Sequence, residues 1–174
     1  MSGKITDRAE QVKRRRPSMM LRVVDGDLLD QDVEVIVNAW NRNLIPWWLL
    51  LPQGVSGAIK RRGGTEPFRE LRRVGVMPLG GAVETGPGGL PFKAIIHVAG
   101  IGPRWRATEW SVRESVRDAM ALAKRRGYQS IAFPLIGAGS GGGKAGRVRS
   151  RMEQELAGIE YDGEVRIVRY KSGD

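Results

Sequence analysis

Two segments of this 174-residue chain run from an apolar, strand-like stretch into a glycine-rich loop and then into a helix pattern. The first loop follows residues 33–43 and contains Gly54 and Gly57, and the second follows residues 130–136 and spans residues 137–143. Glycine loops that open helices present backbone N–H groups and a positive helix end to anions. Two such loops on one small domain predict a ligand with two phosphates.

The common nucleotide-binding motifs do not explain the second loop. Gly137, Gly139 and Gly142 match the spacing G-x-G-x-x-G, but a dinucleotide-binding fold needs further strand–helix units, and only one helix and one strand remain downstream. In a Walker phosphate loop, Ala138 would replace the first glycine and Ala145 the residue that holds magnesium. Both motifs therefore fail on their context.

The composition excludes several classes of protein. A hydrophobic content of 41% fits a folded globular domain, and no apolar run is long enough to span a bilayer. The amino-terminal residues have no apolar signal core, so we expect a cytoplasmic protein. The absence of cysteine and the single histidine, His97, exclude disulfides, thiolate metal sites and histidine clusters. We expect neither a metal nor a cofactor.

The formal net charge of +10 favours anionic partners, although a solvated basic surface would explain it equally well. Residues 1–18 contain the basic run 13–16 and few residues that could pack. We interpret them as a poorly ordered arm that could add weak nucleic-acid contact. Residues 19–174 are expected to form a single domain, of unknown oligomeric state.

The hydrophobic periodicity predicts strands alternating with helices. Strands are predicted at residues 20–24, 33–37, 82–85, 94–98, 131–136 and 165–168, and helices at 56–62, 66–73, from 111 to Gly127, and 144–156. Ser111 and Glu114 have the spacing of a capping box. This alternation predicts a mixed sheet between two layers of helices.

Six short motifs, in this order, resemble those of the macrodomain family. They are Gly26-Asp-Leu-Leu, Ile36-Val-Asn-Ala-Trp-Asn, Gly54-Val-Ser-Gly-Ala-Ile, Gly63-Gly, Ile96-His-Val-Ala-Gly and Ile131-Ala-Phe-Pro. The resemblance covers roughly residues 20–170. It implies a three-layer α/β/α fold with a central mixed sheet. It also implies binding of ADP-ribose, often with hydrolysis of ADP-ribose linked to proteins, phosphate or acetate.

The resemblance assigns ligand roles to polar residues near the ends of two predicted strands. Asp27, followed by Leu28, matches the aspartate that receives the adenine amino group, and an Asx-type turn is the structural alternative for it. Asn38 falls at the end of a predicted strand, where hydrogen bonding to the loop backbone is the alternative. Asn41 matches the asparagine near the ribose adjacent to the scissile bond. His97 matches a family histidine on a core strand, and we interpret it as structural.

The two glycine loops match the phosphate loops of the family, with ligand-free tight turns as the alternative. The matching positions are Gly54, Val55 and Gly57 in the first loop, and Gly137, Ala138, Gly139, Ser140, Gly141 and Gly142 in the second. Backbone donors suit a pyrophosphate because they are fixed in place.

Three departures from the family pattern affect the expected activity. Ser56 stands where the active hydrolases of one large subgroup of the family carry an aspartate, and a hydroxyl is not basic enough to replace it near neutral pH. Gly141 replaces an aromatic residue near the distal ribose. The apolar insertion 44–52 contains Trp47 and Trp48, which could form an aromatic wall for the ligand, pack against the domain or lie in a dimer contact.

Three functions follow as alternatives. The first is a slow hydrolase of mono-ADP-ribosylated protein, ADP-ribose 1''-phosphate or O-acetyl-ADP-ribose, with Asn41 and Ser56 as candidate catalytic residues. The second is a non-catalytic reader of ADP-ribosylated macromolecules. The third is nucleic-acid binding through the arm and the segment 104–106, although Trp105 and Trp110 could instead pack onto the following helix.

Overall fold

The computed structural model describes residues 18–42, 46, 48, 54–102, 104, 106–139 and 143–170. Residues 1–17, Trp47, Trp105 and residues 140–142 lie outside the described part, so the predictions that concern them stay predictions. The division of the chain into an arm and one domain stays a prediction.

Six strands and four α-helices alternate along the described residues. The strands are β1 (Met19–Asp25), β2 (Val35–Asn41), β3 (Ala82–Thr85), β4 (Ala94–Ile101), β5 (Ser130–Pro134) and β6 (Gly163–Arg169). The helices are α1 (Gly54–Gly63), α2 (Glu66–Val74), α3 (Glu109–Arg126) and α4 (Ala145–Ala157), and a short 3₁₀ turn spans Leu28–Asp30. The strands form one sheet in the order β1-β6-β5-β2-β4-β3, in which only β3 is antiparallel to its neighbour. The predicted mixed sheet is confirmed.

The sheet is buried on both faces, as parallel sheets usually are. On β2, Val35 and Val37 join a core cluster that includes residues of α3 and α4, whereas Ile36 and Trp40 join a second cluster with residues of α1 and α2. The three-layer α/β/α architecture predicted from the resemblance is therefore confirmed. None of the helices in the described ranges is both long enough and apolar enough to cross a membrane.

Helix α3 begins earlier than the sequence predicts, and its cap is a different residue. The hydroxyl of Thr108 accepts a hydrogen bond from the N–H of Ser111, and the hydroxyl of Ser111 accepts one from the N–H of Thr108. Thr108 is thus the N-cap of a capping box, and the prediction of Ser111 in that role was wrong. The Ser111 hydroxyl also donates to the carbonyl of Gly100 at 2.9 Å, which attaches the start of the helix to the end of β4.

Strand β2 is four residues longer at its carboxyl end than predicted. Asn38 therefore lies inside the strand, directly beside His97 of β4 in the parallel register, and its expected position at the strand end was wrong. The register between the two strands shifts after Trp40, so that Asn41 pairs with Ile101. Such a bulge re-aims the side chains beside it and is common next to functional sites.

Candidate functional site

Three of the candidate ligand residues lie at one edge of the sheet, because five of its strands are parallel. Asp27 follows β1, Asn41 ends β2, and Gly137 follows β5. The 3₁₀ turn after Asp27 contacts both α1 and β5, which brings the end of β1 toward the two glycine loops. The carboxyl ends of strands in open α/β sheets are where such folds bind their ligands.

The first glycine loop forms the first turn of α1 rather than a loop ahead of it. Gly54 opens the helix with a φ of +57°, a conformation that L-residues with side chains rarely adopt. Val55, Ser56 and the buried Gly57 complete the turn, which contains no acidic residue. The first four N–H groups of an α-helix have no partner within the helix. This turn can therefore donate to an anion at the positive end of the helix.

The described residues at the two ends of the second glycine loop are joined by a hydrogen bond. Gly137 has a φ of +81°, and its carbonyl accepts from the N–H of Gly143 at 2.9 Å. The N–H of Ala138 donates to Leu135 at 3.1 Å, so in this structure Ala138 uses its donor inside the turn. Gly139 is exposed, and residues 140–142 lie outside the described part. An anion would therefore rely on donors of this loop other than that of Ala138.

Asp27 divides its carboxylate between a local cap and an ion pair. Oδ1 accepts from the N–H of Leu29 at 2.8 Å, which is the Asx-type turn expected as the alternative role. Oδ2 lies 3.6 Å from a guanidinium nitrogen of Arg62, beyond hydrogen-bond distance. The Asp27 side chain is 36% exposed, so Oδ2 can still accept from an adenine amino group. The turn role and the ligand role are therefore compatible.

Asn38 lies at the centre of a buried hydrogen-bond network. Its Oδ1 accepts from the hydroxyl of Ser56 at 2.9 Å, and its Nδ2 lies 3.1 Å from Nδ1 of His97. His97 Nε2 lies 2.9 Å from Oγ1 of Thr85, whose hydroxyl donates to the carbonyl of Gly86 at 3.0 Å. We call Ser56, Asn38, His97 and Thr85 the Asn38 network. The Asn38 side chain bonds to side chains rather than to loop backbone.

The directions of these hydrogen bonds assign the protons of the network. Thr85 has one hydroxyl proton, which goes to Gly86, so we assign the other proton of this pair to Nε2 of His97. Nδ1 of His97 then accepts from the amide of Asn38, and only Oδ1 of Asn38 remains to accept from Ser56. Burial lowers the pKa of His97 to about 3, so the imidazole is neutral near pH 7. His97 thus has the structural role that the sequence predicts.

This arrangement excludes Ser56 as a histidine-activated nucleophile. In such a pair the serine hydroxyl donates to an imidazole nitrogen, which takes up its proton. Here the amide of Asn38 stands between Ser56 and His97, and an amide oxygen is not basic enough to accept a proton. Because the Ser56 proton is committed to Asn38, its oxygen can only accept further hydrogen bonds, from a water or a ribose hydroxyl.

Asn41 is 9% exposed at the end of β2, immediately after the bulge. The following residue, Arg42, exchanges two hydrogen bonds with Met77, one through its carbonyl at 2.9 Å and one through its guanidinium at 3.0 Å. These bonds fix the backbone next to Asn41 against the segment after α2. The asparagine is therefore held at the same edge as the two glycine loops.

Two tryptophan side chains are more than half exposed. Trp48 is 58% exposed and Trp110 is 55% exposed. Most of the insertion 44–52, together with Trp105, lies outside the described residues, so packing of these segments against the domain or onto α3 stays a prediction. For Trp48, the ligand wall and the dimer contact also remain open.

Sequence reasoning missed Thr85 and Arg62. Thr85 lies on β3 two residues beyond Val83, the direct partner of His97, so it is a diagonal neighbour on the same face. A histidine and an asparagine at the centres of two apolar strands were the signal that a third polar partner must be nearby. Arg62 pairs with Asp30 at 2.7 Å as well as lying near Asp27, and no sequence signal joins these residues. Within the described ranges, no group of three or more histidine, aspartate or glutamate side chains could hold a metal.

Comparison with known proteins agrees with this architecture. The family model described as Macro domain matches residues 37–152. An O-acetyl-ADP-ribose deacetylase of Escherichia fergusonii is 39% identical over 127 residues, covering 68% of each protein. A macro domain-containing protein of Listeria monocytogenes is 34% identical over 163 residues, covering 87% of this chain and 89% of that protein. Among solved structures, an ADPR-bound mutant of the Oceanobacillus iheyensis macrodomain matches with a TM-score of 0.76 and 28% identity, covering 87% of this chain and 85% of that one. The chain therefore belongs to the macro domain family.

Proposed function

We propose that this chain binds ADP-ribose at the carboxyl edge of its sheet and slowly hydrolyses ADP-ribosyl linkages. The observation that carries the proposal is the pair of glycine turns with positive φ, at Gly54 and Gly137, beside the carboxyl ends of the neighbouring strands β2 and β5. Two anion-binding turns side by side suit a pyrophosphate. The name of the Escherichia fergusonii relative and the ADPR in the Oceanobacillus iheyensis structure support the same ligand.

The proposed roles follow from the groups that each residue leaves available. Oδ2 of Asp27 accepts from the adenine amino group, and the first turn of α1 donates to one phosphate. Asn41 binds the ribose next to the scissile bond, where a neutral amide can both donate and accept without adding charge beside the phosphates. Ser56 holds a water or a ribose hydroxyl as an acceptor.

The same geometry makes the reaction slow. Ser56 replaces the carboxylate that would activate water, and its only proton is committed to Asn38. The loss of a general base typically costs about 10²–10⁴ in rate. A reader that binds ADP-ribose without turnover is the second candidate function, and the committed hydroxyl of Ser56 is the observation that favours it.

Calorimetric titration with ADP-ribose tests the binding proposal. We expect a dissociation constant near the micromolar range, which corresponds to about 8 kcal/mol. Asp27→Asn keeps an oxygen that can accept from Leu29 and removes the charge, so binding should weaken by about 1–3 kcal/mol. Asp30→Asn is the matched control, because Asp30 pairs with the same arginine and is 63% exposed. Equal affinity of the wild type and Asp27→Asn would remove Asp27 from the site.

A time course of product release tests the hydrolysis proposal. The substrates are mono-ADP-ribosylated protein, ADP-ribose 1''-phosphate and O-acetyl-ADP-ribose, each with the wild type and Asn41→Ala. We expect slow turnover of at least one substrate, and a further loss of rate in Asn41→Ala. Tight binding with no turnover of any substrate would establish the reader instead.

A further inference from the structure

A surface beside the second glycine loop collects exposed cations and an exposed indole. Its members are Arg104, Arg106, Trp110, Lys144 and Arg147, which we call the loop-side surface. All five side chains are exposed, and Trp110 is 55% exposed. Within the part of the chain that the structure describes, none of the four cations has an ion pair or a side-chain hydrogen bond.

Backbone contacts and one ion pair place these residues together. The N–H of Gly102 donates to the carbonyl of Arg106 at 3.0 Å. The adjacent Ala107 packs closely over Gly137, because a Cβ added to Gly137 would lie 2.2 Å from the Cβ of Ala107. Lys144 and Arg147 follow the same loop at the start of α4. One helical turn further on, Arg151 pairs at 3.1 Å with Glu109, the neighbour of Trp110. The starts of α3 and α4 therefore form one surface.

These cations differ from those further along the same helices. Arg113 and Arg117 of α3 both pair with the buried Glu155 of α4, and Arg149 pairs with Glu153. Those pairs join or brace the two helices. In contrast, Lys144 and Arg147 lie at the positive end of α4, where the first turn has no acidic residue. Cations at this end oppose the helix dipole, so folding stability does not explain their presence.

We propose that the loop-side surface binds single-stranded nucleic acid. Unpaired arginines and lysine can contact successive phosphates, and an exposed indole can stack on a base. A base inside a duplex is already stacked on its neighbours, so an exposed indole favours a single strand. This binding does not depend on the proposed function, because it requires no ADP-ribosyl group on the nucleic acid.

Fluorescence anisotropy with a labelled mixed-sequence DNA oligonucleotide of about 12 nucleotides tests the proposal, in salt from about 50 to about 200 mM. The full-length wild type is compared with the double variant R106A/R147A and with Trp110→Ala. Each variant is first shown by thermal unfolding to be folded. All three altered side chains are exposed, so the fold should not change.

The matched control is the double variant R61A/R69A. Arg61 and Arg69 are also exposed and have no ion pair among the described residues, but they belong to α1 and α2, on the other face of the sheet. R61A/R69A therefore removes the same charge from the opposite layer. The basic arm is unchanged in every variant, so binding by the arm cannot explain a difference between the variants.

The two loop-side variants should differ in their response to salt. R106A/R147A should weaken binding about tenfold and reduce the slope of log affinity against log salt by about 1.4, because two phosphate contacts are lost. Trp110→Ala should weaken binding by a similar factor with the slope unchanged, because stacking releases no counterions. R61A/R69A should change the affinity by less than about twofold.

Four results would overturn the proposal. The first is no oligonucleotide binding by the wild type at low salt, and the second is wild-type affinity in R106A/R147A. The third is a loss of affinity in R61A/R69A equal to that in R106A/R147A. The fourth is full affinity in Trp110→Ala together with binding of a polyglutamate chain as tight as that of the oligonucleotide. The last result would identify an acidic protein as the partner. None of these outcomes bears on the titration with free ADP-ribose, so the two proposals fail separately.

Discussion

Replacement of Ser56 by aspartate should reverse the polarity of the Asn38 network. A carboxylate only accepts hydrogen bonds, so it cannot donate to Oδ1 of Asn38 as the serine hydroxyl does at 2.9 Å. The Asn38 amide must then turn over and donate its Nδ2 to the new carboxylate. Its oxygen would face Nδ1 of His97, which must acquire the proton that now lies on Nε2.

The change extends to Thr85. Nε2 of His97 would become an acceptor, so the Thr85 hydroxyl must donate to it and release the carbonyl of Gly86. Two neutral hydrogen bonds worth about 0.5–1.5 kcal/mol each are lost, from Ser56 to Asn38 and from Thr85 to Gly86, and one hydrogen bond to a charged group worth about 1.5–3 kcal/mol is gained. Desolvation of the half-buried carboxylate offsets part of that gain. We therefore expect the free energy of unfolding to change by no more than about 1 kcal/mol.

Two measurements follow from this reversal. Because His97 is the only histidine, nitrogen NMR of its ring reports the tautomer directly, with the proton on Nε2 in the wild type and on Nδ1 in Ser56→Asp. If the carboxylate can activate water, hydrolysis of the ADP-ribosyl substrates should also accelerate, by up to about 10²–10⁴. Ser56→Asn is the matched control, because its amide can still donate to Asn38 and supplies no base.

A folded Ser56→Asp variant in which Nε2 keeps its proton would refute the coupling between position 56 and His97. A fast wild-type enzyme that is indifferent to Asn41→Ala would refute the proposed mechanism itself. Faster hydrolysis in Ser56→Asn would show that a base is not the missing element.

Three further predictions concern stability and the apolar insertion. His97 has a pKa of about 3 in the folded protein and roughly 6.5 in the unfolded chain, so the unfolded state binds more protons between these two values. Urea unfolding should therefore show that the free energy of unfolding falls by about 2 kcal/mol from about pH 7.5 to about pH 5. A free energy that does not change over this range would contradict the burial of His97. Gly137→Ala should lower the free energy of unfolding by about 2–4 kcal/mol through its positive φ and its contact with Ala107. Gly139→Ala should change it little in the same assay, because no atom of the described residues lies within 4 Å of its new Cβ. If Trp48 lies over the ligand, ADP-ribose should change the tryptophan fluorescence. Trp48→Ala should then abolish most of that change and weaken binding by about 1 kcal/mol. Wild-type affinity and an unchanged fluorescence response in Trp48→Ala would exclude Trp48 from the pocket.

The sequence predicts the layers and most elements because their patterns are local. Alternating apolar residues and glycine stops place β3 correctly and α2 within one residue of its observed end. The prediction of the N-cap of α3 fails because Thr108 and Ser111 are both suitable capping residues and lie three positions apart. The choice depends on the bond from Ser111 to Gly100, which joins the helix to a strand of the sheet and is invisible in the local sequence.

The glycine turns of the candidate site could be located from the sequence, but the state of its polar side chains could not. The sequence predicts that the strand ends just before Asn38, and asparagine itself has a low preference for strands. A neighbouring strand overrides that preference, since His97 lies beside it and accepts from its amide. The division of the Asp27 carboxylate between Leu29 and Arg62 is likewise set by tertiary contacts.

The Asn38 network also explains why the departure at position 56 is not a local change. Both ends of the Asn38 amide are committed, and Asn38 and His97 are both 0% exposed, so water cannot replace a lost partner there. If the residue at position 56 donates to Asn38, Nδ1 of His97 must accept from Asn38. If the residue at position 56 accepts, Nδ1 of His97 must donate. The residue at position 56 and the proton on a histidine in the core are thus two parts of one hydrogen-bonding pattern. A hydroxyl at position 56 satisfies this pattern in one direction, and a carboxylate satisfies it only in the other.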